Sequence, residues 1–239
     1  INWARIIVQI IYYFFAYFNT TSDGEKINFA VPTGNFGDIY AGYIAKKMGL
    51  PINKLIIATN SNDILKRVLR SGIYKPLKVE HTVSPSMDIQ LASNFERLIF
   101  DSYSNDSKKV LQLMNNLKDF GEFTIEEKNL NKINKVFCAE SMSSKETAKV
   151  IKEIYIKEGV LIDPHTAVAI GVVKKLSFKE NTVVLSTAHP SKFFNIVMKE
   201  TGIKPELPEK LKKILVKKEK LKKLPNDLEK IKKYIKLKI

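Results

Sequence analysis

Short, continuously apolar runs alternate along this chain with stretches in which apolar residues recur at helical spacing. The runs at 27–31 (Ile-Asn-Phe-Ala-Val), 54–58 (Lys-Leu-Ile-Ile-Ala), 135–139 (Lys-Val-Phe-Cys-Ala) and 182–186 (Thr-Val-Val-Leu-Ser) predict strands. Helical periodicity predicts helices near 38–48, 62–70, 107–119, 144–157 and 166–176. Strands that are apolar throughout, separated by helices, argue for a parallel sheet covered on both faces. The expected fold class is therefore α/β, a parallel sheet flanked by helices, with right-handed crossovers.

Three segments fall outside that alternation. Residues 101–134 are rich in Asn, Lys, Asp and Glu and predict a surface helix with variable loops. Residues 1–18 are strongly apolar but slightly short of the roughly 20 residues a membrane span needs. They also carry Asn2, Arg5 and Gln9, so a buried helix is expected there and no membrane association. The start has no basic region, short apolar core and small-residue cleavage site, so it does not read as a secretory signal. There is no Met at position 1, which suggests a piece of something longer. After Pro205 the pattern predicts two amphipathic helices, 207–218 and 226–237, broken at Pro225. The expected organisation is one large α/β domain over 1–204, with a helical extension over 205–239 packed on it.

Composition changes this picture little. The chain has 239 residues, 44% of them hydrophobic and 27% charged, as in ordinary globular proteins. Its formal net charge of +15 raises the question of nucleic-acid binding. The basic residues are mostly Lys, mixed with Glu and spread over helix faces; only Lys210 to Lys238 is densely basic, and there Leu and Ile recur at helical spacing as in amphipathic helices, so no nucleic-acid partner is expected. The one cysteine, Cys138, lies in an apolar run and reads as a structural thiol rather than a disulfide partner. The three histidines have no spacing that suggests a metal site.

The candidate chemistry starts at Pro32-Thr33-Gly34-Asn35-Phe36-Gly37-Asp38, between a predicted strand and a predicted helix. Two glycines let backbone N–H groups converge, and the helix N-terminus adds a partial positive charge, a combination that cradles a phosphate. The spacing matches neither the dinucleotide fingerprint nor the nucleoside-triphosphate loop. Such a loop at the carboxyl end of a strand sits where parallel sheets gather ligands.

Other segments carry a resemblance together with this one. Ile-Asn-Trp-Ala-Arg at 1–5, the loop at 32–38, Ala-Thr-Asn-Ser-Asn-Asp-Ile at 58–64 and Ser-Pro-Ser-Met-Asp-Ile at 84–89 resemble the threonine synthase family. So do Ser-Asn-Phe-Glu-Arg-Leu at 93–98, Asp-Pro-His-Thr-Ala-Val at 163–168 and Thr-Ala-His-Pro-Ser-Lys-Phe at 187–193. The order is that of the bacterial and fungal branch, and the resemblance extends to Leu-Pro-Asn-Asp-Leu at 224–228.

The resemblance implies the large domain of a tryptophan synthase β-like enzyme of fold type II, using pyridoxal 5′-phosphate. It implies a cytoplasmic carbon–oxygen lyase acting on phosphates, which converts O-phosphohomoserine and water into threonine and phosphate. A related threonine synthase-like phospho-lyase or a non-catalytic homologue is the alternative. By resemblance, Gly34, Asn35, Phe36, Gly37 and Asp38 hold the cofactor phosphate, and the hydroxyl of Thr187 faces the pyridine nitrogen. Asn2 and Arg5 match the helix that binds the substrate phosphate, for which a guanidinium is suited. Lys192 is a further candidate, for phosphate charge or loop structure, and so is His189, which like His165 is at least as readily a structural histidine orienting a loop as a catalytic one. His81 has no supporting context. The family's Schiff-base lysine falls upstream of the Ile-Asn-Trp-Ala-Arg motif, so no catalytic lysine is expected in this chain. The expected partner is the amino-terminal half of the same enzyme, without which the chain is expected to be inactive.

Overall fold

The structure, a computed structural model, describes residues 2–22, 24–212 and 217–238. By contacts the chain divides into two compact units, Ile1–Pro205 and Glu206–Ile239. The first unit opens with α1 (Trp3–Thr20), β1 (Ile27–Pro32), α2 (Gly37–Lys47), β2 (Ile52–Thr59) and α3 (Ile64–Ser71). A short hairpin strand β3 (Ile73–Tyr74) is followed by α4 (Phe95–Ser102), α5 (Ser107–Phe120), its partner strand β4 (Phe123–Thr124) and α6 (Glu127–Val136). Next come β5 (Phe137–Ser141), α7 (Ser144–Glu158), α8 (Pro164–Leu176), β6 (Thr182–Val184) and α9 (Phe194–Thr201).

Four strands form a parallel sheet in the order β5-β2-β1-β6. Side chains alternate across it. Phe29, Val31, Leu55 and Ile57 enter the core shared with α1 to α6, whereas Ala30, Ile56 and Ala58 pack with Val150, Ile151, Val168 and Val172 of α7 and α8. Both faces are covered, which is why the central strands are apolar throughout. Register pairs Pro32 with Ala58 and Ala30 with Val184, so the segments leaving β1, β2 and β6 emerge along one edge of the sheet. Gly42 on α2 admits the ring of Tyr13, because a Cβ there would come within 2.5 Å of that ring.

The predicted strands and central helices are present, with small shifts in their ends. The strand expected at 135–139 begins at Phe137, because α6 runs through Val136 before the chain extends. Segment 101–134 is more ordered than its polarity suggested. It supplies α5, β4 and α6, which bury Val110, Leu113, Phe123 and Ile133 from otherwise polar surfaces. The helix expected to be buried at the start is buried on one face only, through Ile6, Ile10, Tyr13 and Tyr17. The opposite face leaves Ile7, Val8, Ile11, Phe15 and Phe18 exposed at 50–68%. Cys138 is half-buried, and desolvation pushes its thiol up to about 11, which makes it a poor nucleophile.

The second unit contains α10 (Glu209–Lys212) and α11 (Leu228–Lys236), the latter capped by Asp227. The helix expected at 207–218 is described only over α10. Residues 213–216 lie outside the described residues, and 217–225 are not helical. Pro225 has no backbone N–H to donate and disfavours a helical conformation at the residue before it.

Candidate functional site

A cavity of about 640 Å³ opens at the carboxyl edge of the sheet, and residues 32–39 form its floor. The turn is tight. Phe36 takes a left-handed conformation (φ 65°) that starts α2 and places its ring in the core, 5.3 Å from Phe95 and 5.6 Å from Phe137. A Cβ on Gly34 would lie 3.0 Å from the Ser86 carbonyl oxygen and 3.1 Å from Ile89, so only glycine fits without displacing that wall. Among the described residues, the backbone N–H groups from Gly34 to Ile39 have no backbone acceptor. Unpaired donors at a helix N-terminus are what an anion requires.

The rest of the cavity comes from distant parts of the chain. Arg5, Gln9 and Tyr12 of α1 form one side, and Ser86, Asn94, Leu185, Ser186 and Thr187 the others. Asn94 fixes the loop twice, through its backbone N–H (3.1 Å) and its side-chain amide (3.0 Å) to the Asn35 carbonyl. Arg97 donates to the Asn94 side chain and stacks over Trp3 at 4.6 Å. Segment 82–88 is held by Asp88, whose carboxylate accepts from the Thr82 N–H (2.9 Å), the Thr82 hydroxyl (2.6 Å) and the Asn60 amide (2.8 Å).

One buried carboxylate ties two walls together. Asp163 caps α8 and accepts from the His165 N–H and from the His165 ring Nδ1 (2.8 Å), and the Thr166 hydroxyl also donates to it. The His165 Nε2 accepts from the Ser86 N–H (3.2 Å), which fixes the tautomer with its proton on Nδ1. Thr166 lies 3.3 Å from the Ser186 hydroxyl. His165 thus positions Ser86, and Thr166 positions the segment that presents Thr187.

Asp38 is the one carboxylate in the cavity lining. Burial pushes its carboxyl up to about 6, against the downward pull of a hydrogen bond from Tyr13.

The structure brings Gly34, Asn35, Phe36, Gly37, Asp38, Thr187 and Arg5 to this cavity. Three other sequence candidates sit elsewhere. Asn2 caps α1, with its side-chain oxygen accepting from the Ala4 N–H at 2.8 Å. His189 caps the short turn Pro190–Phe193, accepting from the Ser191 N–H. The Lys192 ammonium lies 5.5 Å from the Phe193 ring centre. His81 is in an exposed loop. No lysine lines the cavity, and no group of three His, Cys, Asp or Glu could hold a metal among the described residues. Sequence reasoning passed over Gln9, Tyr12 and Asn94. Arg5, Gln9 and Tyr12 share helical spacing, a signal that could have found two of them.

Known proteins share this fold. A family profile described as "Threonine synthase, C-terminal" matches residues 166–235. The chain is 41% identical over 238 residues to threonine synthase of Pseudomonas aeruginosa, covering 98% of this chain and 51% of that protein. With the Saccharomyces cerevisiae threonine synthase the identity is 45% over 250 residues, covering 93% of this chain and 49% of that one. The solved structure of the PLP-bound threonine synthase from Brucella melitensis superposes with a TM-score of 0.92 at 47% identity, over 99% of this chain and 51% of that one. The chain spans about half the length of the relatives it matches. Its fold is that of the fold type II family of pyridoxal-phosphate enzymes. Within that class, the chain corresponds to the carboxyl-terminal part of threonine synthases. No helix among the described residues is long and apolar enough to cross a membrane.

Proposed function

We propose that this chain is the cofactor-phosphate-binding half of a threonine synthase, acting on O-phosphohomoserine and water as a carbon–oxygen lyase once joined to an amino-terminal half. The observation that carries the reading is the cradle at 34–39, whose unpaired N–H groups face a cavity that Gly34 keeps open. These residues fit the phosphate of pyridoxal 5′-phosphate. When bound, that cofactor supplies the electron sink for proton removal from the amino-acid substrate.

The chain's own residues then have separate tasks. The backbone of residues 34–38 binds the cofactor phosphate, and Phe36 locks the turn by its burial. Thr187 offers a neutral hydroxyl to the pyridine nitrogen, so that nitrogen is hydrogen-bonded without being protonated. Arg5 stands on the cavity side of α1, where a permanent cation suits the second phosphate, that of the substrate. Asn2, as the α1 cap, sets the start of the helix that carries Arg5. Asp163 and His165 orient the walls, and His189 and Lys192 order the turn after Thr187.

The amine missing from the cavity lining is supplied by the amino-terminal half. The exposed apolar face of α1, contiguous with Tyr12 at the cavity rim, is the surface that half covers. A helix apolar on all sides is normally buried, and relatives carry about as much chain again outside the matched part.

The test is complementation. The chain is mixed with the amino-terminal half of the Pseudomonas aeruginosa relative and with the cofactor, and threonine formation is followed. The expected result is activity in the mixture and none from either piece alone. The double variant Ile7→Glu/Ile11→Glu is expected to lose association while keeping its melting temperature. Threonine formation by the chain alone would refute the division of labour. Self-association through α1 in place of the amino-terminal half would refute the docking surface.

A further inference from the structure

The floor of the cavity contains a feature at odds with anion binding. Asp38 lies in the first turn of α2, among the unpaired N–H groups that suit a phosphate. A carboxylate there would repel the ligand. Tyr13 reaches it from α1 with a fully buried ring. Its hydroxyl donates to the Asp38 carbonyl at 2.9 Å and stands 3.3 Å from the carboxyl Oδ1. The single phenolic proton is therefore committed mainly to the backbone, and the carboxyl has only a long contact. No Lys, Arg or His forms an ion pair with Asp38 among the described residues.

The other groups that face the cavity include one cation, Arg5, which makes no ion pair with Asp38, and α1 adds the neutral Gln9 and Tyr12. Segment 84–88 contributes the neutral Ser86, with Asp88 turned toward Thr82 and Asn60. The N-terminus of α4 brings Asn94, and the exit of β6 brings Ser186 and Thr187, all neutral.

We infer that Asp38 is a proton-coupled phosphate ligand: the side chain takes up one proton from solvent as the phosphate enters and, as a carboxylic acid, donates its O–H to a phosphate oxygen. Tyr13 is its positioning residue, holding the backbone carbonyl of Asp38 so that the carboxyl faces the ligand. The burial that already raises the Asp38 carboxyl to about 6 is consistent with this, because an approaching anion favours the neutral acid further. The inference rests on the cofactor-phosphate reading of the cavity.

The test uses the whole chain and pyridoxine 5′-phosphate, which has no aldehyde to react with surface lysines. Binding is measured from pH 5.5 to 8.5 for the native chain and for Asp38→Asn, whose amide donates a hydrogen bond without titrating. The second ionisation of the ligand phosphate, near 6, affects both proteins alike. The affinity of the native chain relative to Asp38→Asn is expected to fall by about tenfold per pH unit above about 6. Calorimetry of the native chain in buffers of different ionisation enthalpy is expected to show uptake of close to one proton at pH 7.5 beyond that of the variant. Tyr13→Phe is expected to weaken binding while keeping the pH dependence. Parallel pH profiles for native and Asp38→Asn proteins would overturn the inference while leaving the phosphate reading intact. If neither protein binds the ligand at any pH, the phosphate reading itself falls. Should Asp38→Asn fail to fold, buffer-dependent proton uptake by the native chain decides alone, and its absence overturns the inference.

Discussion

A single methyl group tests the cradle. Ala at position 34 would put its Cβ 3.0 Å from a backbone oxygen that cannot step aside without moving segment 84–88. Overpacking of this kind costs about 1–3 kcal/mol. Gly34→Ala is therefore expected to lower the melting temperature by about 3–10 °C and to weaken pyridoxine 5′-phosphate binding at least tenfold. Asp38 makes a separate prediction for the unliganded chain. Its carboxyl rises from 3.8 to about 6 on folding, so between those values the folded state holds more protons than the unfolded state. Stability then falls as pH rises through that window, by up to about 3 kcal/mol. Melting curves of native and Asp38→Asn proteins at pH 4, 5, 6 and 7 are expected to diverge through that window, the native chain losing the more stability. The loop at 32–38 was legible at this scale because a strand, two glycines and a helix start are adjacent in sequence. Tyr13 and Asn94 were not legible as parts of the site, because their partners, Asp38 and Asn35, lie far away along the chain.

Among the elements, α8 bears most of the positioning. Its N-terminus carries Asp163, which satisfies two backbone donors, the His165 ring and the Thr166 hydroxyl in full burial. Asp163→Ala removes a cap worth about 1 kcal/mol and leaves buried donors unpaired at about 1–3 kcal/mol each. Urea denaturation is expected to show a loss of about 3 kcal/mol or more, with phosphate-analogue binding lost before global unfolding. The four sheet strands and the helices α2, α3, α5, α7 and α8 were readable because burial on both faces or on one stripe leaves a clear period. The hairpin β3–β4 was not, since two residues per strand cannot display an alternation. The helix α6 was obscured by its polar outer surface. The apolar content of α1 was plain, but content does not say which face has a partner. The structure assigns its inner face to Tyr13 and its neighbours and leaves the outer face uncovered.

Across the sequence the net charge of +15 is concentrated toward the end, where residues 206–239 carry 13 lysines against five acidic residues, and over the rest of the chain it is spread. Lysines pair with nearby acids at Lys47–Asp101, Lys66–Glu140, Lys174–Glu153 and Lys175–Glu146. Fluorescence anisotropy with a random DNA duplex at physiological salt is expected to give only the weak dissociation constants of about 10⁻⁴–10⁻⁶ M typical of non-specific electrostatic binding by lysines. A nanomolar, sequence-dependent constant would contradict that reading.

Local patterns were sufficient for the four sheet strands, the helices α2, α3, α5, α7 and α8, the phosphate-type loop and the resemblance to threonine synthases, because each depends on residues adjacent along the chain. Only the tertiary structure decided which residues share the cavity. Arg5 and Thr187 meet the loop at 34–38 there, because the parallel register brings three strand ends to one edge and α1 packs beside them. It also decided that Asp38 lines that cavity without an ion-pair partner among the described residues and that one apolar face of α1 is bare. Both follow from what surrounds a side chain in space, and the order of residues does not record that.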